Sequence, residues 1–486
     1  MKNIWNRRNF LFQSGGGIAG LALAQMLHDQ NLLASPRTAA PSSDAACAAG
    51  PVAANPLAAK APHFKPRAKA VISIFNTGGV SQMETFEYKP ALEKYAGQVL
   101  GGDVRVHDGR PGPIMPGVFK FKQYGQSGKH VSEIFPNLAT KVDEIAFLHS
   151  VWGRSDDHVQ ATYEMQSGQL RMGYPSMGSW ITYGLGTENA NLPGFIVLQD
   201  ARGGPLGASN NWMSGFLPST FQGTPFLAGD NPIVDLKRPA SVTAEQQRRR
   251  LDMLDNLNEM HAARYPGSSE LAARISSYEL AYRMQGCAPE AVDVNSESAA
   301  TKKLYGLDEK ITEPFCKQCL MARRLVERGV RYVQVFSGGL GIQNTDTWDA
   351  HKDMKENHAL HARESDLPIA GLLTDLKARG LLDSTLIVWH SEFGRMPLSE
   401  NGVGRDHNPM AMTCWMAGAG IKGGQSIGTS DEVGYKAEKQ PISYHDLHAT
   451  ILALMGIEHT RLTYRYNGRD MRLTDVAGEL IPQIMG

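Results

Sequence analysis

Five cysteines in 486 residues are too few for a disulfide framework, so a chain of this length must hold together by burial. Net charge is also missing, since 49 Lys and Arg balance 49 Asp and Glu. That balance gives no global case for nucleic acid, which asks for a basic face. No window reaches about 18 uninterrupted apolar residues, which argues against a transmembrane helix. No internal repeat of fixed period occurs. What is present is a 42% hydrophobic, 20% charged composition, enough for a large core and incompatible with wholesale disorder. Fifty glycines point to many turns and close backbone approaches.

Residues 1–40 read as an address rather than as fold. Lys2, Arg7 and Arg8 precede an uncharged Gly-, Ala- and Leu-rich stretch from Asn9 to Leu27, and small residues follow. A basic start, an apolar middle and a small-residue exit make a secretory signal. The adjacent Arg7-Arg8 before Asn9-Phe10-Leu11 resembles a twin-arginine export signal. Residues 41–68 are Ala- and Pro-rich and read as a linker, so order is expected near Lys69. Four basic residues (Lys2, Arg7, Arg8, Arg37) and one acid (Asp29) lie in residues 1–40. The remainder carries 45 basic and 48 acidic residues.

Beyond Lys69, short β-branched or apolar runs recur at 70–75, 145–148, 194–198, 330–336, 385–389 and 412–417. The first ends in Asn76-Thr77-Gly78-Gly79, a glycine turn. Helical spacing lies between several of them, at 131–144, 315–328 and 362–382. Strands apolar on both faces, alternating with helices, predict a mostly parallel sheet covered by helices. The charged segment 239–285, with Arg248-Arg249-Arg250, reads as a helical insertion extending to about 302, its last part a polar loop. Cys316-Lys317-Gln318-Cys319 has redox or zinc spacing, but no second pair accompanies it. Two bland helix cysteines are the simpler reading.

Eight of the 15 histidines lie from residue 351 onward: His351, His358, His361, His390, His407, His445, His448 and His459. Metal binding and proton transfer are reasons to concentrate imidazoles. Thr347-Trp348-Asp349-Ala350-His351 follows one predicted strand, and His390-Ser391-Glu392-Phe393-Gly394-Arg395 follows another. Gly404-Arg405-Asp406-His407-Asn408-Pro409 reads as a polar turn before a third. Carboxylates and imidazoles at strand ends suit a zinc-like site, and Arg beside them suits a sulfate or phosphate oxyanion. Asp156-Asp157-His158 opens a helix that stops at Ser167-Gly168. Each group also has a structural reading, as a helix cap, a local ion pair or a hydrogen-bonded loop.

The order Gly78-Gly79-Val80-Ser81-Gln82-Met83-Glu84, His158…Ser167-Gly168, Trp348-Asp349-Ala350-His351, Ser391-Glu392-Phe393-Gly394-Arg395 and Gly404-Arg405-Asp406-His407 resembles domain-of-unknown-function family 1501. This is an exported bacterial family akin to sulfatases and alkaline phosphatases, and the likeness spans roughly residues 69–486. It implies an alkaline-phosphatase-like α/β domain: a mostly parallel central sheet with helices on both faces. It also implies one or two divalent ions (zinc, calcium or manganese) held by Asp349, His351, Glu392, His407 and Asn76. By the same likeness His158 sits at the nucleophile's position, with Arg395 and Arg405 as catalytic anion holders. Three departures stand out: His158 where the superfamily has Ser, Thr or modified Cys, Phe393 where it has a ligand His, and Asn76 where it has Asp. Glu84 is a stand-in candidate for the last.

The expected function is thus a periplasmic or secreted metal-dependent hydrolase of sulfate or phosphate esters. Its expected partners are a small or polysaccharide anionic ester and the twin-arginine export machinery. A non-catalytic binding protein on the same scaffold is the alternative, and a mutase or isomerase is a third.

Overall fold

The computed structural model describes residues 56–485 except 103, 108, 109, 230, 266–268 and 340–345. The signal segment 1–40 and linker residues 41–55 lie outside the described residues. The chain divides into two compact units. One includes Asp235–Gly286, and the other comprises Val52–Val234 with Cys287–Gly486.

The larger unit is a mixed α/β structure built on nine strands. In chain order these are β1 (Ala70–Asn76), β2 (Ile145–Trp152), β3 (Phe195–Leu198), β4 (Thr224–Phe226), β5 (Tyr332–Ser337) and β6 (Thr385–Ser391). A separate hairpin, β7 (Gly394–Glu400) and β8 (Gly404–Asn408), precedes β9 (Met412–Gly418), β10 (Gln425–Ile427) and β11 (Ile442–Ser443). The sheet order is β10-β2-β9-β6-β1-β5-β3-β4, with β11 also beside β2. Every pair is parallel except those of β9, which runs antiparallel to β2 and β6. Two antiparallel steps restore direction, so β2 ends at the same edge as β1, β5 and β6.

All six apolar runs read from the sequence are strands of this sheet. β1 shows why: Val71 and Phe75 join a core with Tyr332, Phe336, Leu386 and Val388, while Ile72 and Ile74 are fully buried on the opposite face. On the first face lie Trp180 and Ile181, from a helix over Met177–Leu185, and Leu447 and Ile451 from Tyr444–Leu454. The helix Glu313–Glu327 packs against β1 and β5, and Met354–Ala378 packs on that helix in turn. Cys316 and Cys319 are free and buried in Glu313–Glu327. Burial pushes the Cys316 thiol up to about 12 and Cys319 well above its ordinary value, which favours inert packing over redox chemistry.

Four expectations change. The helix read at 131–144 is a strand (Lys129–Ser132) followed by a 3₁₀ helix (Leu138–Glu144), consistent with Pro136 disfavouring helical backbone at the residue before it. Order begins before Lys69: Leu57 is buried in the core, and Lys60, His63, Arg67 and Ala68 donate backbone hydrogen bonds to Leu185, Gly456 and Leu454. Residues 286–302 are not all loop, since one helix runs Ser269–Val292 and another Ala299–Tyr305. Their polar composition hid Ala288, Ala291 and Val294, which are buried. The segment read as a turn at 404–409 is a strand over Gly404–Asn408, discussed below. In the smaller unit, Arg248 of the helix Ala244–Arg264 pairs with Glu279 at 2.7 Å, while Arg249 faces solvent.

Candidate metal centre

Five chain segments meet at the carboxyl edge of β1, β5 and β6, where ligands gather in open α/β sheets. The Gly78–Gly79 turn follows β1, and the Thr347–His351 loop follows β5. Ser391–Glu392 end β6, the β7–β8 hairpin follows, and His158 starts helix α1 (His158–Ser167). Asp157 caps that helix by accepting from Gln160 N at 3.0 Å, and Gly168 ends it at φ +73.

The turn after β1 needs glycine. Gly78 has φ +115, and a Cβ there would lie 2.5 Å from Asp349 N and 2.7 Å from Trp348 N. Its amide donates to Glu392 Oε1 at 2.7 Å, and Thr77 O accepts from Trp348 N at 2.9 Å. Gly78→Ala is therefore expected to lower stability by more than the ~1–3 kcal/mol of backbone strain alone. Gly97→Ala is the control, with φ +81 and nothing near its Cβ position. Equal urea midpoints for the two variants would refute the close-approach argument.

The hairpin is polar in sequence yet buried throughout β8, which is why it reads as a turn and folds as a strand. Its loop is entered through Asn401 and Gly402, both at positive φ. A bulge between Arg405 and His407 re-aims the next side chains.

Three potential ligand atoms converge there. His351 Nε2 lies 2.9 Å from His407 Nε2 and 3.0 Å from Asp349 Oδ1, and His407 Nε2 lies 3.4 Å from the same oxygen. The other nitrogens are committed: His407 Nδ1 is 2.7 Å from the Asp156 carbonyl, and His351 Nδ1 is 2.5 Å from Glu400 Oε2. A carbonyl only accepts, so His407 carries its proton on Nδ1 and turns a bare Nε2 to the centre. One ligand atom each from His158, Asp349 and His407 fall within 4.8 Å of one another, as do those of His351, Glu400 and Asp406.

The electrostatics fit a cation site. Burial pushes His407 down to about 2, so it is neutral at physiological pH. Burial also opposes charge on Asp349, yet Arg395 and three imidazoles hold its carboxyl well below the usual range. His158 feels burial as well, but its pairing with the Asp349 and Glu392 carboxylates prevails and raises it to about 9. His351 is raised by the same contest, through Asp349 and Glu400. The donor set, two imidazoles and a carboxylate with outer partners fixing the rings, fits a divalent transition metal.

The residues read from the sequence divide into three groups. Asp349, His351, His407 and His158 come together. Glu392 is fully buried beside them, 2.7 Å from His158 Nδ1, and accepts from Ser391 Oγ at 2.9 Å. Asn76 donates to the His390 carbonyl at 3.0 Å, and its Oδ1 is buried without a partner. Arg395 and Arg405 are not placed to hold a substrate anion. Both are fully buried, and every guanidinium nitrogen donates to protein. Arg395 serves Gly78 O, Gly79 O, Arg405 O and Asp349, while Arg405 serves Glu84 and the carbonyls of Met115, Pro116 and Met396. Glu84 is thereby spent and is no metal stand-in.

Of the clustered histidines, His358 and His361 are buried on the helix Met354–Ala378, His390 bonds Ser73 within the sheet, and His448 lies on the helix Tyr444–Leu454. Sequence reasoning missed Glu400 and His107. The His107 ring packs on His407 at 4.7 Å, tilted by 35°, and its amide donates to Asp406 Oδ2 at 2.7 Å. The Asn401-Gly402 hairpin signal, placing Glu400 opposite Gly404, was available for the first. No signal marked the second.

The family described as "Protein of unknown function (DUF1501)" matches residues 68–485. Among solved structures, the PsFucS1 sulfatase from Pseudoalteromonas sp. aligns at 13% identity over 81% of this chain and 68% of its own, with TM-score 0.34. Alkaline phosphatase from the Antarctic bacterium TAB5 aligns at 10% identity over 73% and 92%, with TM-score 0.30. The lipoteichoic acid synthase LtaP from Listeria monocytogenes aligns at 10% identity over 86% and 78%, with TM-score 0.32. None of the curated proteins matches the chain.

Proposed function

The chain belongs to the DUF1501 family, and from that premise we propose that it is an exported, metal-dependent hydrolase of sulfate or phosphate esters. The observation that carries this reading is the convergence of His351 Nε2, His407 Nε2 and Asp349 Oδ1 at a strand-end site. Asp349, His351 and His407 would hold a divalent ion, with His158, Glu400 and Asp406 beside them. Such an ion would act as a Lewis acid on an ester oxygen.

The remaining work falls to the chain. Arg395 holds Asp349 in place. Glu392 orients His158 through Nδ1. His158 Nε2 lies 3.4 Å from Asp349 Oδ2 but makes no hydrogen bond. It thus offers a cationic N–H to an ester oxyanion where the two arginines offer none. Attack by His158 would first need loss of that proton, so a nucleophilic role implies a rate rising toward pH 9.

Export rests on the basic and apolar pattern of residues 1–40. Among the described residues no helix is long and apolar enough to cross a membrane. A second reading, binding without turnover, is favoured by Phe393, whose ring packs on His158 at 4.9 Å and His407 at 4.5 Å. Metal analysis of the exported protein, with a panel of aryl sulfates and phosphates, tests both. One or two ions per chain are expected, with His407→Ala lowering metal affinity at least about 10–100-fold and turnover with it. Metal affinity should rise with pH, because binding displaces protons from the imidazoles. Metal without turnover supports the binding role. No metal, with turnover surviving His351→Ala, rejects the metal-dependent reading of this site.

A further inference from the structure

A cavity of about 530 Å³ opens at the same edge of the sheet, two strands beyond β6. Its size falls in the range of small-molecule sites. Trp152 and Ser443, register partners at the ends of β2 and β11, form part of its wall. His459, Thr460, Arg472 and Glu479 complete the polar lining.

The lining mixes donors and acceptors around one aromatic residue. Arg472 spends its Nε on the Asp475 carbonyl, and its two terminal nitrogens have no protein partner among the described residues. Glu479 is exposed at the rim. Asp446 is occupied, accepting from Ser443 N at 2.8 Å and Glu479 N at 2.6 Å, so it shapes the wall rather than binding. Arg472 and Glu479 line the same cavity, so a cation and an anion together disfavour a strongly charged ligand of either sign. They suit a molecule with many hydroxyls, each able to donate and accept. An indole beside them suits the apolar face of a ring.

The residues next in the chain to Trp152 and Ser443 of its wall, Gly153 and Tyr444, lead toward the metal centre. Gly153 lies so close to Tyr444 that a Cβ would come within 2.6 Å of the phenol, and Tyr444 Oη donates to the Glu392 carbonyl. Five residues further along the chain from Gly153 is His158.

We propose that this cavity is a sugar subsite, taking a neutral hexopyranose unit against Trp152 with its hydroxyls on Arg472 and Glu479. It deepens the hydrolase reading, on which it rests, by making the ester's carrier a glycan, and the test separates the two. The full-length metal-bearing protein is titrated with methyl glycosides of glucose, galactose, mannose and fucose, followed by calorimetry. At least one is expected to bind with Kd of about 1 mM or tighter. Arg472→Ala and Trp152→Ala should each weaken it about tenfold or more, leaving bound metal and aryl-ester turnover unchanged. If Trp152→Ala does not fold, Arg472→Ala decides. Absence of binding by all four glycosides, or undiminished binding by Arg472→Ala, overturns the proposal. Sugar binding without any ester turnover rejects the hydrolase and leaves the subsite standing.

Discussion

Glu84→Gln is expected to cost about 3–5 kcal/mol, the largest single loss foreseen in this protein. Glu84 and Arg405 are both fully buried, 2.7 Å apart. Glu84 Oε1 takes two guanidinium N–H groups, from Nε and Nη2, and Oε2 takes the Val118 amide at 2.9 Å. Glutamine keeps the shape and one acceptor. It removes the only carboxylate paired with Arg405 among the described residues, so a charge stays in a dry interior with carbonyl dipoles alone. The exposed pair Lys377–Glu144, with the Lys side chain 64% exposed, is the contrast and should be worth less than about 1 kcal/mol. Urea denaturation of the two variants gives the comparison. A loss for Glu84→Gln no larger than for Glu144→Gln would refute the argument. Since Arg405 O also accepts from Arg395 Nη1, the damage should reach Asp349 and loosen metal binding.

Acid should unfold this protein earlier than carboxylate protonation alone would. Burial holds several imidazoles neutral, among them two away from the metal centre: His149 is pushed down to about 4 and His448 to about 3. In the unfolded chain both take a proton near 6.5. Between that pH and about 4 the unfolded state therefore binds more protons, and stability falls as pH falls, by roughly 1.4 kcal/mol per unit for each ring. By pH 4.5 the pair withdraws on the order of 5 kcal/mol, comparable with the whole net stability of many domains. Thermal melts from pH 7.5 to 4.5 should show a steep fall beginning near pH 6. A flat midpoint down to pH 4.5 would disprove it, and His149→Phe, if it folds, should flatten part of the slope.

The sheet could be read because β1, β5 and β6 are apolar on both faces, a pattern that composition exposes. His158, Asp349, His351 and His407 were readable because their residue types are rare together at strand ends. The β7–β8 hairpin was not, because Arg395, Arg405 and Asp406 look solvated until their partners arrive from elsewhere. Arg405 meets Glu84 across 321 residues, and Arg395 meets Gly79 O across 316. A guanidinium that faces a substrate and one that props up a loop carry the same letter. Residues 56–68 failed for a similar reason: an Ala- and Pro-rich stretch reads as linker, and only Leu185, Leu454 and Gly456 give its amides acceptors.

The position of β1 has a bearing on how the chain reaches this state. The first strand made sits between β5 and β6, pairing Val71 with Tyr332 and Leu386. A ribosome must therefore deliver the chain as far as Ser337 before the middle of the sheet has one neighbour, and as far as Ser391 before it has both. Closing loops of this length costs entropy before any ladder hydrogen bond returns it, so assembly is slow and leaves an apolar strand exposed meanwhile.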